Sequence, residues 1–374
     1  MLFSPEVHEA LADESWSAER ARAAIASIVA DAESAFDDGW PMHPLDFVEG
    51  EDMSTQLRTV YEGGAGVVDA LYRLARRGFV ELRRDYVPYL ERSADAPSDF
   101  PDEDAERSLW MGETGIRLVL QRLSPSQANV ERLTELIAAN ARDERCELMW
   151  GSPGTILAGR ELGLDVTASN EWLHGRRDTE GLWTQQLYGR SSRLLGPAHG
   201  FAGVVLALGD VARVSETLQR LAVEEDGLVN WPPEEGKGLV DANRDRMIRT
   251  QWCHGAPGIV ATLAPILDEE LAVAGGELTW QAGPLRRARA SATAQRGTDT
   301  HSWRCSNARE TNGGSSERAR SRCTLQVRWS AAGRTTGAAA TRSGPATSAQ
   351  PCTSPTAPMV EGSYPSHRTI ARPG

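Results

Sequence analysis

Lysine is almost absent from this sequence of 374 residues: Lys237 is the only one, and arginine carries nearly all of the positive charge. The basic residues are also unevenly distributed. Residues 1–289 hold 29 basic and 48 acidic side chains, whereas residues 290–374 hold 11 arginines and four acidic side chains. Nucleic acids and anionic membranes bind basic patches, so the acidic body argues against both as partners. The lysine-poor composition has two interpretations, a GC-rich genome and an acidic surface suited to high salt.

Long apolar runs and a cysteine framework are missing too. No run approaches the roughly 20 apolar residues that a membrane span needs. The first residues lack the basic region and the long apolar stretch of a secretory signal. Five cysteines at irregular spacing do not make a disulfide framework. We therefore expect a cytoplasmic protein without membrane spans, in which the reducing environment favours a metal or thiol role for Cys253.

The most informative feature that is present is a glycine frame, Gly-x-x-Gly, which occurs five times before an apolar stretch. The first glycines of successive frames are separated by 49, 39, 49 and 55 residues, which indicates one supersecondary unit copied along the chain. Glycine allows tight turns and close backbone approach, so each frame predicts a turn that opens a buried helix. The frames are 63–66, 112–115, 151–154, 200–203 and 255–258.

Helical periodicity surrounds these turns. Inner, apolar helices are predicted behind the frames, for example at 67–74, 116–123, 204–211 and 259–267. Outer, amphipathic helices are predicted before and between the frames, at 18–36, 78–91, 127–142 and 214–225. Such units close into a ring of helical hairpins, so we predict an all-α fold, an α/α toroid. A stacked solenoid of the tetratricopeptide kind is the alternative, but its period is nearer 34 residues.

Two of the frames are directly preceded by reactive or metal-binding side chains. Cys253 and His254 stand directly before Gly255, and His199 stands directly before Gly200. Cysteine and neutral histidine are the side chains that zinc prefers. In a ring of hairpins the turns that begin the inner helices gather at one end, where the helix N-termini point their positive dipole ends. We therefore expect the residues before the turns to converge on a shared pocket.

The repeated frames, together with the run from Trp252 to Gly258 and the Ala198-His199-Gly200 turn, resemble the lanthionine synthetase C-like family. This family includes bacterial lantibiotic cyclases and eukaryotic relatives, and the run at Cys253 looks closer to the eukaryotic-type members. The resemblance covers roughly residues 55–289, with five motifs in the family's order. It implies an α/α toroid with one zinc ion held by Cys, Cys and His.

The resemblance also implies roles for five residues. Cys253 falls on the first zinc ligand, and Glu147 falls where cyclases carry an active-site acid. His199 matches the family's active-site histidine, and Arg249 matches its arginine. His254 stands where cyclases carry an active-site aromatic residue, which places it beside the metal and not on it.

The implied reaction is the addition of a thiol to a dehydroamino acid, which gives a thioether. Zinc would hold the thiol as thiolate, His199 or Glu147 would move the proton, and Arg249 would stabilise the enolate oxygen. The implied partners are a dehydrated peptide or protein and a thiol donor, either a peptide cysteine or glutathione.

Each of these residues also has a plain structural interpretation. His199 can be a hydrogen-bonded turn residue, and Glu147 a solvated carboxylate at a helix end. Arg249 can belong to a solvated basic stretch. Cys146 is most simply a buried thiol. The tryptophans before the turns are most simply pocket walls or core, namely Trp110, Trp150 and Trp252.

The family pattern breaks after the fifth frame. A sixth motif, Cys-His-Gly-x-x-Gly, should supply the other two zinc ligands roughly 40–55 residues after Gly255, but residues 290–309 match nothing of the kind. Shifting the codon frame from residue 290 permits Leu-Cys-His-Gly-Thr-Ala-Gly-Asn-Gly, followed by an apolar stretch. Because first and second codon bases are largely fixed by the protein sequence, we infer a change of reading frame within about residues 285–290.

This inference divides the chain into an incomplete toroid, 1–285, with five of about seven hairpins, and a disordered, non-native tail, 286–374. The tail's His301, Cys305, Cys323 and Cys352 arise from shifted codons. With Cys253 alone, zinc binding should be weak or absent, and the chain as written should be inactive. Two alternatives stay open: a scaffold that binds glutathione or a peptide without catalysis, and a carbohydrate-active α/α-toroid enzyme with paired carboxylates.

Overall fold

The computed structural model describes residues 1–12, 14–42, 55–101, 105–209, 211–240 and 246–285. Within these ranges the chain forms eleven α-helices and four strands of three residues each, so the prediction of an all-α fold is confirmed. No helix in the same ranges has the length and apolar character needed to cross a bilayer. The predicted disordered tail, with His301, Cys305, Cys323 and Cys352, lies outside the described residues.

The helices are α1 (Ala18–Ser34), α2 (Gly64–Arg76), α3 (Val87–Ala94), α4 (Glu113–Leu123), α5 (Gln127–Ala139), α6 (Ser152–Leu162), α7 (Thr167–Arg176), α8 (Phe201–Leu208), α9 (Val214–Leu221), α10 (Ala256–Leu263) and α11 (Glu269–Ala282). The strands β1 (Gln185–Leu187) and β2 (Arg190–Ser192) form one antiparallel hairpin. A second hairpin pairs β3 (Val223–Glu225) with β4 (Leu228–Asn230).

All five glycine frames begin helices, as the repeat predicts. The first glycine of each frame is the N-cap of α2, α4, α6, α8 or α10. At the second glycine, an added Cβ would come closer than 3.0 Å to the carbonyl oxygen six residues earlier, in every frame. The frame is therefore a turn in which the chain crosses over the start of its own helix, and only glycine leaves room for that crossing. These second glycines are Gly66, Gly115, Gly154, Gly203 and Gly258.

The helices that follow the frames pack in chain order. Helix α2 contacts α4, α4 contacts α6, α6 contacts α8, and α8 contacts α10. The intervening helices lie outside this row: α5 packs between α4 and α6, α7 on α6, and α11 on α10. This succession of inner and outer helices is that of the predicted α/α toroid, and the described residues contain five of its inner helices.

The helices differ from their predicted bounds. The inner helices α2, α4, α8 and α10 begin three residues earlier than predicted, inside the frames, and α8 and α10 also end earlier, at Leu208 and Leu263. The outer helices α1 and α5 end at Ser34 and Ala139, before the predicted ends at 36 and 142.

The segment 78–91 was expected to be helical throughout, but α3 begins only at Val87, because Pro88 lies in its first turn, where proline is tolerated. Helix α9 ends at Leu221, and the end of the predicted segment, 223–225, is strand β3. The outer helices α7 and α11 were not predicted from the pattern.

Two clusters of buried side chains form the main core. The larger one surrounds α6, α8, α10 and α11 and contains Trp183 and Trp231. Both indole N–H groups donate to backbone carbonyls, Trp183 to Leu173 at 2.6 Å and Trp231 to Leu218 at 2.8 Å. The second cluster joins α1, α2, α3 and α4. The core thus extends along the whole row of inner helices.

The N-terminal segment fastens to the end of the described chain, a contact that no sequence pattern indicated. Leu2 is buried in the larger core, and its carbonyl accepts a hydrogen bond from Asn230 Nδ2 at 2.7 Å. His8 is buried, and its Nδ1 donates to the Gly283 carbonyl at 2.8 Å. Burial lowers the pKa of His8 from its usual 6.5, although the bond to Gly283 opposes that shift.

Alanine at Gly258 should destabilise the fold strongly. An added Cβ would overlap the Trp252 carbonyl, and overpacking against backbone should lower the free energy of unfolding by at least about 2 kcal/mol. Gly276→Ala in α11 is the matched control, because nothing lies within 4 Å of its added Cβ; it should stabilise by up to about 1 kcal/mol. Denaturant titration measures the free energy of unfolding of both variants. Equal changes in the two would contradict the requirement for glycine where the chain crosses the helix start.

His8 should make stability depend on pH. Its folded-state pKa is lowered from 6.5, so the unfolded chain binds more protons just below that pH, and stability falls as the pH drops through about 6.5. His8→Gln cannot titrate and should lose this part of the pH dependence. The measurement is the free energy of unfolding of both proteins between about pH 5 and 8. Parallel curves for the two proteins would rule the explanation out.

Candidate active site at the glycine turns

The loops before the inner helices contact one another at the turns. The Tyr61 N–H donates to the Trp110 carbonyl at 3.0 Å, which links the first turn to the second. The Leu148 N–H donates to the Ala198 carbonyl at 3.1 Å, which links the third turn to the fourth. Gly196, before the fourth turn, lies so close to the Cys253 carbonyl that no Cβ would fit.

Side chains from these loops also meet in one cluster, which we call the turn cluster. Every one of the five turns contributes to it, so these residues lie together, and the shared pocket stays a prediction. The tryptophans lie in this cluster, which is compatible with their interpretation as pocket walls or core. Its members from the turns are Tyr61, Trp110, Met111, Met149, Trp150, Ala198, Trp252 and Cys253.

Glu147 is fully buried at the third turn. Its carboxylate accepts hydrogen bonds from the backbone N–H groups of Met149, Trp150 and Gly151 at 2.9, 2.6 and 3.0 Å. These N–H groups belong to the loop that ends at Gly151, the N-cap of α6, and they lie outside the hydrogen bonds of the helix itself. The interpretation of Glu147 as a solvated carboxylate is therefore wrong: its side chain is enclosed and holds the turn together.

His199 joins this carboxylate from the fourth turn. Its Nδ1 lies 2.7 Å from Glu147 Oε2, and its side chain is 22% exposed while Glu147 is 0% exposed. A carboxylate that already receives three N–H bonds acts as an acceptor, so Nδ1 carries the hydrogen and Nε2 is the acceptor of the neutral ring. The turn-residue interpretation and the active-site interpretation of His199 are both compatible with this bond.

Cys253 lies half-buried at the fifth turn, in the turn cluster with Ala198. Its thiol donates to Gln251 Oε1 at 3.3 Å. Gln251 was not predicted as a site residue, although it stands between Arg249 and Cys253. Cys146, by contrast, is the buried thiol that the sequence suggested, and burial raises its pKa to about 11.

Arg249 and His254 are half-buried on the same loop as Cys253. The backbone there is positioned by Asn230, which is fully buried. Its Oδ1 accepts from the Ala256 N–H at 2.8 Å, and its Nδ2 lies 3.4 Å from the Arg249 carbonyl oxygen. Asn230 was missed at the sequence level, where it is one polar residue beside a tryptophan.

The zinc site that the resemblance implies does not fit the described donor set. In the described ranges no three or more His, Cys, Asp or Glu side chains are grouped so as to hold a metal ion. Cys253 is bonded to an amide oxygen, and Cys146 is held as a neutral thiol by burial. Zinc in proteins takes three or four side-chain ligands, so the described residues do not supply a complete set.

These features define a class of protein: helical hairpins hinged on glycine turns, with a buried glutamate hydrogen-bonded to a histidine of the next turn and a cysteine at the turn after that. The family model described as lanthionine synthetase C-like protein matches residues 55–274, which is more than half of the chain. The chain therefore belongs to the lanthionine synthetase C-like family, as the repeated frames predicted.

Removing the charge of Glu147 should destabilise the turn. In Glu147→Gln the amide offers one acceptor oxygen in place of two and turns an NH₂ group toward N–H donors, so buried donors lose partners at about 1–3 kcal/mol each. Glu144→Gln is the control, because Glu144 is an exposed partner of Arg176 at 3.2 Å and such pairs contribute at most about 1 kcal/mol. We expect a markedly lower unfolding free energy for Glu147→Gln alone; equal values would refute the enclosed-carboxylate role.

Proposed function

We propose that the chain carries the proton-transfer part of an active site that forms thioethers. The observation that supports this most is the hydrogen bond between Glu147 and His199. Ala198, the neighbour of His199, shares the turn cluster with Cys253. A buried carboxylate that orients a histidine is the arrangement expected for a general base or acid, and it stands at the turns that the family resemblance singles out.

The reaction adds a thiol across the double bond of a dehydroamino acid. The thiol gives up its proton, its sulfur bonds to the β-carbon while the C=C π electrons shift toward the carbonyl to form an enolate, and the α-carbon then takes a proton. We assign both proton transfers to Nε2 of His199, because Glu147 holds the opposite nitrogen as a donor. Arg249 is assigned to the enolate oxygen, and His254 to the wall of the site beside Cys253.

Zinc, when bound in this family, supplies the activation of the thiol as thiolate. Among the described residues we assign Cys253 to such a site, and no group of three or more candidate ligands is present there. The two missing ligands correspond to the Cys-His-Gly run that the shifted frame encodes from residue 290. We therefore propose that the intact protein is a zinc-dependent enzyme and that the 374-residue chain is inactive.

The proposed substrates are a dehydrated peptide or protein and a thiol, which is either a peptide cysteine or glutathione. Membership of the family favours this chemistry over that of a carbohydrate-active enzyme. The remaining alternative is a scaffold that holds glutathione or a peptide at the turns without turnover.

Restoring the reading frame tests the proposal. The gene is resequenced across codons 280–295, and a version with the shifted frame from residue 290 is expressed beside the 374-residue chain. Zinc per chain is measured by atomic emission, and adducts of a dehydroalanine peptide with glutathione are measured by mass spectrometry. We expect about one zinc and turnover in the restored protein, neither in the 374-residue chain, and loss of both in restored protein with Cys253→Ala.

Other outcomes separate the alternatives. A restored protein that binds zinc and both substrates but makes no adduct at any pH would be a scaffold. A restored protein without stoichiometric zinc would refute the enzymatic proposal. Activity of the restored protein should survive Arg246→Ala, an exposed arginine on the same segment, and fall steeply with Arg249→Ala.

A further inference from the structure

The hairpin of β1 and β2 stands beside His199 and belongs to none of the five turns. It lies between α7 and α8, and its two-residue tip is Tyr188-Gly189. Tyr188 is 70% exposed, and its ring centroid lies 6.3 Å from that of His199 with an interplanar angle of 76°. An exposed aromatic ring therefore lies edge-to-face with the histidine to which both proton transfers are assigned.

The base of this hairpin is firmly anchored. Gln185 is fully buried, and its amide bonds in two directions, accepting from the Leu194 N–H at 2.8 Å and donating to the Cys146 carbonyl at 3.4 Å. Leu187 is buried in the turn cluster. The hairpin is thus attached to the loops of both Glu147 and His199, so the position of its tip is set by the same turns that form the site.

Tyrosine is a poor choice for the tip itself. The φ angles of Tyr188 and Gly189 are 53° and 72°, as in a type I′ hairpin turn, where Asn-Gly is the preferred pair. A non-glycine residue with positive φ is uncommon, and such residues gather at functional sites. A tyrosine at a backbone position that suits asparagine better, with its ring exposed beside His199, points to a role at the site.

We propose that Tyr188 is a specificity-determining residue, whose ring packs against the side chain next to the dehydroamino acid in the peptide substrate. This rests on the proposed function of the turns. A peptide that presents its reacting carbon to His199 brings an adjacent side chain against the hairpin tip. The tyrosine ring favours an apolar or aromatic side chain at that position, whereas a glycine at that position has no side chain to make the contact.

The size of the preference follows from the contact. A packed pair of apolar or aromatic side chains is worth roughly a threefold to tenfold change in the dissociation constant. Tyr188→Asn offers a sharp test, because it removes the ring while giving the turn its preferred Asn-Gly sequence, so the hairpin is kept or stabilised. Tyr188→Phe is the matched control that retains the ring.

The experiment uses the full 374-residue chain, because every residue of the hairpin and of the Glu147–His199 pair precedes the change of frame. Two heptapeptides with one central dehydroalanine, preceded by leucine or by glycine, are titrated by calorimetry into the unsubstituted chain and both variants, and thermal unfolding is recorded. We expect the unsubstituted chain and Tyr188→Phe to bind the leucine peptide about threefold to tenfold more tightly. Tyr188→Asn should bind the two peptides within about twofold of each other, with an unfolding temperature that is unchanged or higher.

Equal affinity of the unsubstituted chain for the two peptides, or no binding of either, overturns the role of Tyr188. A preference that persists in Tyr188→Asn overturns it as well. None of these results decides whether the frame-restored protein forms thioethers, so failure of this inference and failure of the proposed function are told apart.

Discussion

The close approach of backbone to backbone at the glycine frames is the constraint on which the site depends. In each frame a carbonyl oxygen six residues upstream occupies the space that a side chain on the second glycine would need. The segment before each inner helix therefore runs back across the helix start and does not lead away from it. Residues that precede the turn stay at the helix N-terminus, and five such turns at one end of a row of packed helices assemble the turn cluster.

Within this arrangement the third turn depends on a side chain. Glu147 accepts hydrogen bonds from three N–H groups of the loop before α6, and a fully buried carboxylate is tolerated because those donors compensate its lost hydration. His199 supplies a fourth donor from the neighbouring turn. The group that orients His199 therefore also stabilises the third turn. A change that destabilises this turn should consequently disturb the geometry proposed for proton transfer.

The frames made the turns, the helices behind them and the family predictable. Each frame marks a place where only a residue without a side chain fits, and the frame recurs five times along the chain. Contacts between residues that are far apart in the sequence had no comparable sequence pattern. Asn230 positions the loop of Cys253 through bonds to residues 19 and 26 positions away, and the N-terminal segment reaches Gly283 across 275 positions. Helix α3 was misjudged at its start because Pro88 outweighs the apolar periodicity before it. Tyr188 was missed because its ring meets His199 only once β1 and β2 have paired.

A repeat architecture is also compatible with the proposed change of reading frame near residue 290, which would divide the site and leave its first part in place. Inner helices contact their neighbours in chain order, so each hairpin is stabilised largely by the adjacent ones. Glu147, His199 and Cys253 come from the third, fourth and fifth turns, whereas the family's other zinc ligands belong to a sixth. A frame change after the fifth turn would therefore remove the other two proposed zinc ligands together and leave the Glu147–His199 bond among its own neighbours. Substitutions scattered by gradual loss of function would have no reason to respect that boundary, and the abrupt shift in charge and composition at the same place favours a single event in the gene.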